Sequence, residues 1–343
     1  MGLKRPGLFG PGRNHLCKVV CLTLLVILCA GLGLAGGASQ VDFWAALGEL
    51  LEGEAVSPGG KILLYVRLPR VFAALLAGAA LAVSGMLIQA VLGNPLASPN
   101  VIGVNAGAGF FTFVAMALFP GVTGAAPAGA FFGALAATLL VYAVAAGAGA
   151  GRLTIILAGV AVSSIFTAGI NTIKTFFPET LYNGSTFLIG GFSGISIQDF
   201  SPAWAFILAG LAGACLLAGQ VDVLCLGEET ARSLGMHVPR NRFILIVIAC
   251  VLAGSAVSFS GLLSFVGLLA PHVVRRLFGQ ASTGHRVLLP ASALLGAGFV
   301  AFCDLLSRVL FAPFEIPVGI LLSFVGGPFF LFLILKGRQK RLG

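Results

Sequence analysis

Most residues that could do chemistry in this chain are arginines and carboxylates, and two of the arginines lie three positions apart. Arg67 and Arg70 flank the dipeptide Leu68-Pro69. Arginine makes strong charge-assisted pairs with carboxylates, so this pair could hold acidic groups of an external partner. The alternative is a lipid contact, in which both side chains extend from the mouth of a membrane-spanning helix to the headgroups.

A second polar stretch, LGEETARSLG, begins at Leu226 and ends at Gly235. Glu228 and Arg232 lie four positions apart, a spacing that stabilises a helix when the charges are opposite. Glycine near both ends limits the length of that helix. The stretch therefore predicts a short helix, offered either to solvent or to a partner protein.

A third stretch, GNPLASPN, must interrupt a helix. It covers residues 93–100 and contains Pro95 and Pro99. Proline lacks the N–H that a helix needs and restricts the residue before it. One interpretation is a simple turn. The other is a gate, in which Leu96 plugs a path and Asn94 caps the following helix.

Motifs for nucleotide binding and hydrolysis are absent from the sequence. It contains no GxxxxGK[ST], HExxH or GxSxG segment. The four histidines form no ligand cluster, and the seven cysteines include no CxxC pair. Cys17 and Cys21 share a helical face, where packing is favoured over a metal site. We therefore predict no catalytic residue, no metal and no cofactor in this chain.

The elements that position these residues are membrane helices. The 343-residue chain is 58% hydrophobic and 9% charged, whereas soluble domains carry about 25% charged residues. Unbroken apolar runs of helical length favour a helix bundle over the alternating strands of a barrel. The sequence predicts an all-α polytopic membrane protein with about ten spans, at residues 18–38, 62–91, 99–119, 125–147, 153–173, 202–219, 242–260, 262–280, 286–310 and 316–336.

The basic residues predict the orientation of the bundle. With ten spans and a cytoplasmic N-terminus, fifteen of the 20 Lys and Arg residues lie inside, as the positive-inside rule requires. This pattern explains the net charge of +9 without nucleic acid. An uncleaved first helix is favoured over a signal peptide. The outside cations are Lys61, Arg67, Arg70, Lys174 and Arg308.

Embedded carboxylates are scarce, and Asp304 and Glu315 are the main ones. A proton-coupled carrier needs ionisable groups near the midplane of the membrane. Self-powered secondary transport is therefore disfavoured. A membrane-embedded enzyme is disfavoured as well, because the sequence holds no catalytic cluster.

In order and spacing, these segments resemble the FecCD-type family of ABC importer permeases for iron-siderophores, haem and vitamin B12. The likeness runs from about residue 60 to 338. Residues 1–59 then form a cytoplasmic tail, the first helix and an outer loop, and residues 60–343 form one permease core. The matching segments are RLPR at 67–70, GAALAVSGMLIQAVLGNPLASPNVIG at 78–103, ILAGVAVS at 156–163, LGEETARSLGM at 226–236, GLLSFVGLLAPHVVRRLFG at 261–279, HRVLLP at 285–290 and DLLSRVLFAPFEIPVGILLSFVGGPFFLFLILKGR at 304–338.

The resemblance implies a type II importer, a ten-helix permease that pairs as a homodimer in the cytoplasmic membrane of a prokaryote. Both termini would be cytoplasmic. Two separate subunits would bind ATP and Mg²⁺ and hydrolyse ATP, and an extracytoplasmic binding protein would deliver the substrate. The expected substrate is a metal chelate, with an iron-siderophore favoured on family frequency. Haem, cobalamin and molybdate or tungstate stay open.

The resemblance also implies roles for individual residues. The sequence differs from some relatives just before the fifth span. Those relatives have Ser/Thr gate residues there, and this chain has Gly151-Arg152-Leu153-Thr154. Helix position alone suggests that Ser163, Ser164, Thr167 and Asn171 line the path. The implied ATPase-coupling helix contains Gly227, Glu228, Glu229, Ala231, Arg232, Leu234 and Gly235; the implied cytoplasmic gate is Asn94, Pro95 and Leu96; the implied docking residues for the binding protein are Arg67, Arg70 and Arg308.

Overall fold

The computed structural model describes residues 13–37, 39, 41–52, 56–149, 151–279 and 283–342. Within these residues the chain is helical and contains no strand. The α-helices of this part of the chain are α1 (Arg13–Ala35), α2 (Phe43–Leu51), α3 (Pro58–Ile62), α4 (Leu68–Leu92), α5 (Val104–Leu118), α6 (Ala125–Gly147), α7 (Arg152–Phe176), α8 (Leu181–Ile189), α9 (Ile197–Leu216), α10 (Ala218–Cys225), α11 (Glu228–Ser233), α12 (Val238–Ser260), α13 (Val266–Phe278), α14 (His285–Val309) and α15 (Val318–Leu342).

Each of the ten predicted spans corresponds to a helix. Seven helices among the described residues are long and apolar enough to cross a membrane, namely α1, the continuous α3–α4 segment, α6, α7, α9, α12 and α14. Two shorter apolar helices are α5 and the first part of α15, Val318–Leu333. The tenth is α13, with 13 residues. The prediction of an all-α polytopic membrane protein is confirmed.

The predicted pair of spans at 242–280 is one long helix followed by a short one. α12 ends at Ser260, and Gly261 follows with a φ of +67°, a conformation that glycine adopts without strain. A Cβ at Gly261 would meet the carbonyl oxygen of Phe187 at 2.5 Å. The break between the two helices therefore requires glycine for its conformation and for the space around it.

The prediction omits the short helices α2, α8 and α10, and the starts of α1, α5, α9, α12 and α13 differ from it by four or five residues. α2, α8 and α10 have eight or nine residues each, too few for a hydropathy run that would mark a span. α9 begins at Ile197, before the predicted residue 202. The reason is a capping box, in which Ser196 and Asp199 satisfy each other's backbone N–H groups at the helix start.

α4 lies at the centre of the bundle and packs against α12, α13 and α14. Glycine permits these contacts. A Cβ at Gly85 would overlap the carbonyl oxygen of Gly267 in α13, and one at Gly78 would overlap that of Gly296 in α14. In membranes, small residues at such crossings let two helix backbones approach closely. These glycines serve packing, as their abundance suggests.

The outer helices leave apolar side chains uncovered. On α7, Leu153, Leu157 and Ile165 are exposed, and α1 and α9 carry similar residues. Such large apolar faces are not stable in water. Lipid or a second subunit has to cover them.

Candidate functional site

The three predicted docking arginines lie together, at the end of the bundle that the charge pattern places outside. A turn of π-helix, Leu63–Arg67, leads directly into α4. Arg67 donates to the carbonyl oxygens of Leu34 at 2.9 Å, Ala35 at 2.7 Å and Ser39 at 2.7 Å. The last carbonyls of a helix lack partners and carry the negative end of its dipole. Arg67 therefore caps the end of α1.

Arg70 pairs with the two embedded carboxylates. Its Nε donates to both carboxylate oxygens of the buried Asp304, at 2.9 and 3.1 Å, and its Nη1 donates to Glu315 at 2.6 Å. Arg308 joins the same group, with its Nε 3.2 Å from Asp304 and its Nη1 3.2 Å from the carbonyl oxygen of Gly36. We call Arg67, Arg70, Asp304, Arg308 and Glu315 the outer cluster.

The arginines of the outer cluster are engaged within the chain. Arg67, Arg70 and Arg308 are only 3%, 4% and 3% exposed. They do not extend to headgroups, which disfavours the lipid interpretation. Their docking role stays a prediction. In sequence, the only sign of these contacts is the i,i+4 spacing of Asp304 and Arg308, since Arg70 and Asp304 lie 234 residues apart.

The predicted coupling helix is α11. Gly227 and Gly235 bound it, with φ values of +104° and +81°, and glycine tolerates such values. The side chain of Ala231 is buried beneath the helix, while Glu229, Arg232 and Leu234 are exposed. α11 therefore presents a short, charged surface beside the base of α12.

Arg242 links α12 to α11 through an ion pair that the sequence did not predict. Its side chain is 2% exposed and lies 3.1 Å from one carboxylate oxygen of Glu228, while Arg232 holds the other at 2.7 Å. The hydrogen bond from Arg242, with the charges of both arginines, holds the pKa of Glu228 below its usual value. Only the position of Arg242 near the start of α12 could have suggested the contact.

The predicted gate is a compact turn after α4. Gly93 has a φ of +59°, and the N–H of Asn94 donates to the carbonyl oxygen of Gln89 at 3.1 Å, which is the Schellman pattern of helix ends. The side chain of Asn94 accepts from the N–H of Leu96 at 2.9 Å. The prediction that Asn94 caps the following helix is wrong, because its carboxamide is used within the turn. Leu96 is half-buried.

Cationic residues surround this turn. A Cβ at Gly93 would collide with the guanidinium of Arg152, which begins α7. Arg275 of α13 donates to Gln89 in the last turn of α4. Nearby in the fold, Asp222 of α10 lies 2.6 Å from Nδ1 of His285, the first residue of α14. None of these contacts was predicted, because they join segments remote in sequence.

The predicted path residues form a polar stripe on α7. Ser164, Thr167 and Asn171 are exposed and Ser163 is half-buried. The hydroxyl groups of Ser164 and Thr167 donate to backbone carbonyls one turn earlier, so these two hydroxyls present acceptor oxygens rather than donors at the surface. On the same helix, Lys174 lies over the ring of Phe113 at 5.2 Å. This cation–π contact accounts for one of the outside cations.

A groove of about 460 Å³ opens between α8, the break after α12, and α15. Backbone hydrogen bonds join its walls: the N–H of Leu262 donates to Phe187 at 2.9 Å, and that of Gly319 donates to Gly190 at 3.1 Å. Its surface is mainly apolar. The lining residues are Leu188, Ile189, Leu262, Ser264, Gly319, Ile320, Ser323, Phe324 and Pro328.

In the part of the chain that the structure describes, no group of three or more His, Cys, Asp or Glu side chains is placed to hold a metal ion.

A comparison with models of protein families identifies the family of the chain. The model of the FecCD transport family matches residues 22–336. The chain belongs to the FecCD transport family. The match begins inside α1, earlier than residue 60, where the motifs first indicate it.

Relatives with similar lengths support membership of the FecCD family. The Fe(3+)-citrate import system permease protein YfmD of Bacillus subtilis is 36% identical, over 96% of this chain and 97% of that protein. The Fe(3+) dicitrate transport system permease protein FecD of Escherichia coli is 35% identical, over 93% and 98%. A solved chain assigned to a metal-chelate type ABC transporter in an inward-facing conformation has a TM-score of 0.81 at 28% identity, over 93% and 98%.

Membership of the FecCD family determines what the chain is in biochemical terms. Family members are the permease subunits of ABC transporters. The chain is therefore a multi-pass membrane permease and not an enzyme, and partner ATPase subunits supply the ATP hydrolysis. The alternative of a self-powered carrier is set aside.

Proposed function

We propose that this permease imports a ferric chelate across the cytoplasmic membrane of a prokaryote, with both termini in the cytoplasm. The observation that carries the proposal is the full-length similarity to permeases named for ferric citrate import. The mainly apolar groove supports it, because a bulky chelate needs a surface that does not compete for its metal. Haem, cobalamin and oxyanions such as molybdate or tungstate are the alternatives that the experiment below separates.

We propose that two copies of the chain assemble with two ATPase subunits, which bind ATP and Mg²⁺, and with one extracytoplasmic binding protein. The uncovered apolar face of α7 supports a subunit contact there. A heterodimer is the competing assembly, since two different permease proteins of Bacillus subtilis are named for Fe(3+)-citrate import. Co-expression of differently tagged copies tests this choice, because a homodimer would carry both tags.

The proposed roles follow the two ends of the bundle. α11 would contact the ATPase through Glu229, Arg232 and Leu234, with Gly227, Glu228, Ala231 and Gly235 shaping the helix. The turn at Asn94, Pro95 and Leu96 would be the cytoplasmic gate. Arg67, Arg70 and Arg308 would receive the binding protein, and Ser163, Ser164, Thr167 and Asn171 would border the path. Residues 1–59 would add a tail, helix and loop to a core of residues 60–343.

Reconstitution of the complete complex in proteoliposomes tests the substrate. The binding protein is loaded in turn with ferric citrate, a hydroxamate siderophore, haem, cobalamin or molybdate, and ATP hydrolysis and uptake are measured. We expect a ferric chelate to stimulate both. Stimulation by cobalamin or molybdate alone would refute the ferric assignment, and uptake without ATP would refute the importer. A cysteine at the C-terminus, labelled only from the cytoplasmic side, would support the orientation.

A further inference from the structure

We propose that Glu315 is an internal competitor at the outer cluster. It occupies Arg70 while the binding protein is absent, and an acidic side chain of the binding protein displaces it on docking. The inference rests on the proposed function, because it needs an extracytoplasmic binding protein. It adds a residue with a defined role, and it reconciles the burial of Arg70 with its proposed docking.

The two carboxylates that hold Arg70 differ in how easily they can be replaced. Asp304 is buried, accepts two hydrogen bonds from the Nε of Arg70 and also pairs with Arg308. The side chain of Glu315 is 34% exposed and holds Arg70 through one contact of 2.6 Å to Nη1. A displaced Glu315 would regain water at little cost, whereas a displaced Asp304 would leave a buried charge unpaired. Exchange therefore takes place at Glu315.

The net positive charge of the outer cluster favours the binding of an acidic side chain from another protein. Three arginines face two carboxylates, and the guanidinium of Arg67 is occupied by the carbonyls at the end of α1. The excess positive charge raises the local concentration of acidic groups and their rate of arrival. A carboxylate that replaces Glu315 at Arg70 would meet a charge-assisted partner that is already oriented by Asp304.

Glu315 connects the outer cluster to the groove. It lies in the segment between α14 and α15, where Leu310, Phe311 and Phe314 are exposed. Ser193, in the connection between α8 and α9, lies 3.4 Å from its carboxylate. The N–H of Gly319, in the first turn of α15, donates to Gly190 in that connection. Release of Glu315 would therefore loosen two segments that border the groove, and docking would be sensed there.

The test measures docking of the substrate-free binding protein to the complete complex in nanodiscs by biolayer interferometry. Glu315→Gln removes the competitor and is expected to tighten docking about tenfold, equivalent to about 1.4 kcal/mol. Ser193→Ala removes a neutral contact to Glu315 and should tighten docking by less. Glu179→Gln is the matched control, because Glu179 is an exposed carboxylate after α7 and contacts no arginine in a described ion pair.

Each result bears on the proposal. Tighter docking by Glu315→Gln, with Glu179→Gln unchanged, would support the competitor role, because a merely structural ion pair would weaken docking when broken. Unchanged or weaker docking in both Glu315→Gln and Ser193→Ala would overturn it. Equal tightening by Glu179→Gln would also overturn it, as a general charge effect. Absence of docking to the wild-type complex would overturn the proposed function together with this inference.

Discussion

Replacing Glu228 with glutamine should loosen α11 from the base of α12. Glu228 accepts from the exposed Arg232 at 2.7 Å and from the buried Arg242 at 3.1 Å. An exposed i,i+4 pair is worth about 0.3–0.5 kcal/mol, and a hydrogen bond to a charged group about 1.5–3 kcal/mol. Because the Glu228 side chain is 38% exposed, the lower half of that range applies. The expected loss is about 2 kcal/mol, a roughly 30-fold change in the local equilibrium.

Amide hydrogen exchange of the complete complex in nanodiscs measures this loss, since local opening sets the exchange rate. The amides of Ala231 and Met236, which close α11, should exchange roughly 30-fold faster in Glu228→Gln. Arg232→Gln is the matched control, because it removes only the exposed partner, and about a twofold change is expected. Uptake per ATP hydrolysed should fall in Glu228→Gln, because a loosened α11 transmits less of its displacement to α12.

Two results would refute this reasoning. Equal acceleration in Glu228→Gln and Arg232→Gln would mean that the buried partner Arg242 contributes nothing beyond the exposed pair. Unchanged exchange in Glu228→Gln would mean that the carboxylate does not hold α11 at all. A fall in uptake with unchanged exchange would then place Glu228 at the ATPase contact instead.

Acid should loosen α11 in the same way as Glu228→Gln. The stabilising charge of Glu228 is fully present above its usual pKa of 4.5 and is lost as the pH falls through its lower folded-state pKa. Amide exchange in α11, corrected for the intrinsic rate, should therefore rise in that pH range in the wild type and stay unchanged in Glu228→Gln. Glu229→Arg should uncouple uptake from ATP hydrolysis without unfolding the exposed helix, and normal uptake would contradict its contact role. Gly85→Ala should lower the free energy of unfolding by about 1–3 kcal/mol or more, because its Cβ would overlap the carbonyl oxygen of Gly267. Gly213→Ala should not, since a Cβ there meets Ile248 at 3.5 Å. Equal melting temperatures of the two variants would count against the packing role of Gly85.

Several features of the candidate site could be predicted because their signals are local. Opposite charges four residues apart at Glu228 and Arg232, bounded by glycine, predict α11, and the prolines after Gly93 predict the turn. The anchor at Arg242 could not be predicted in the same way. Its partner lies 14 residues away across the turn at Gly235, and only the direction of the chain after that turn brings the two side chains together.

The sequence by itself determined that the chain is a membrane protein, that it forms about ten helical spans, and that its motifs are those of a FecCD permease. Hydropathy and motif spacing are properties of short stretches, and lipid leaves a helix few alternatives. Only the tertiary structure decided which charged side chains pair with each other and which are buried. Arg70 and Glu315 lie 245 residues apart, so their pairing depends on how α4, α14 and α15 pack, and burial turns residues that look free in sequence into an internal ion-pair cluster.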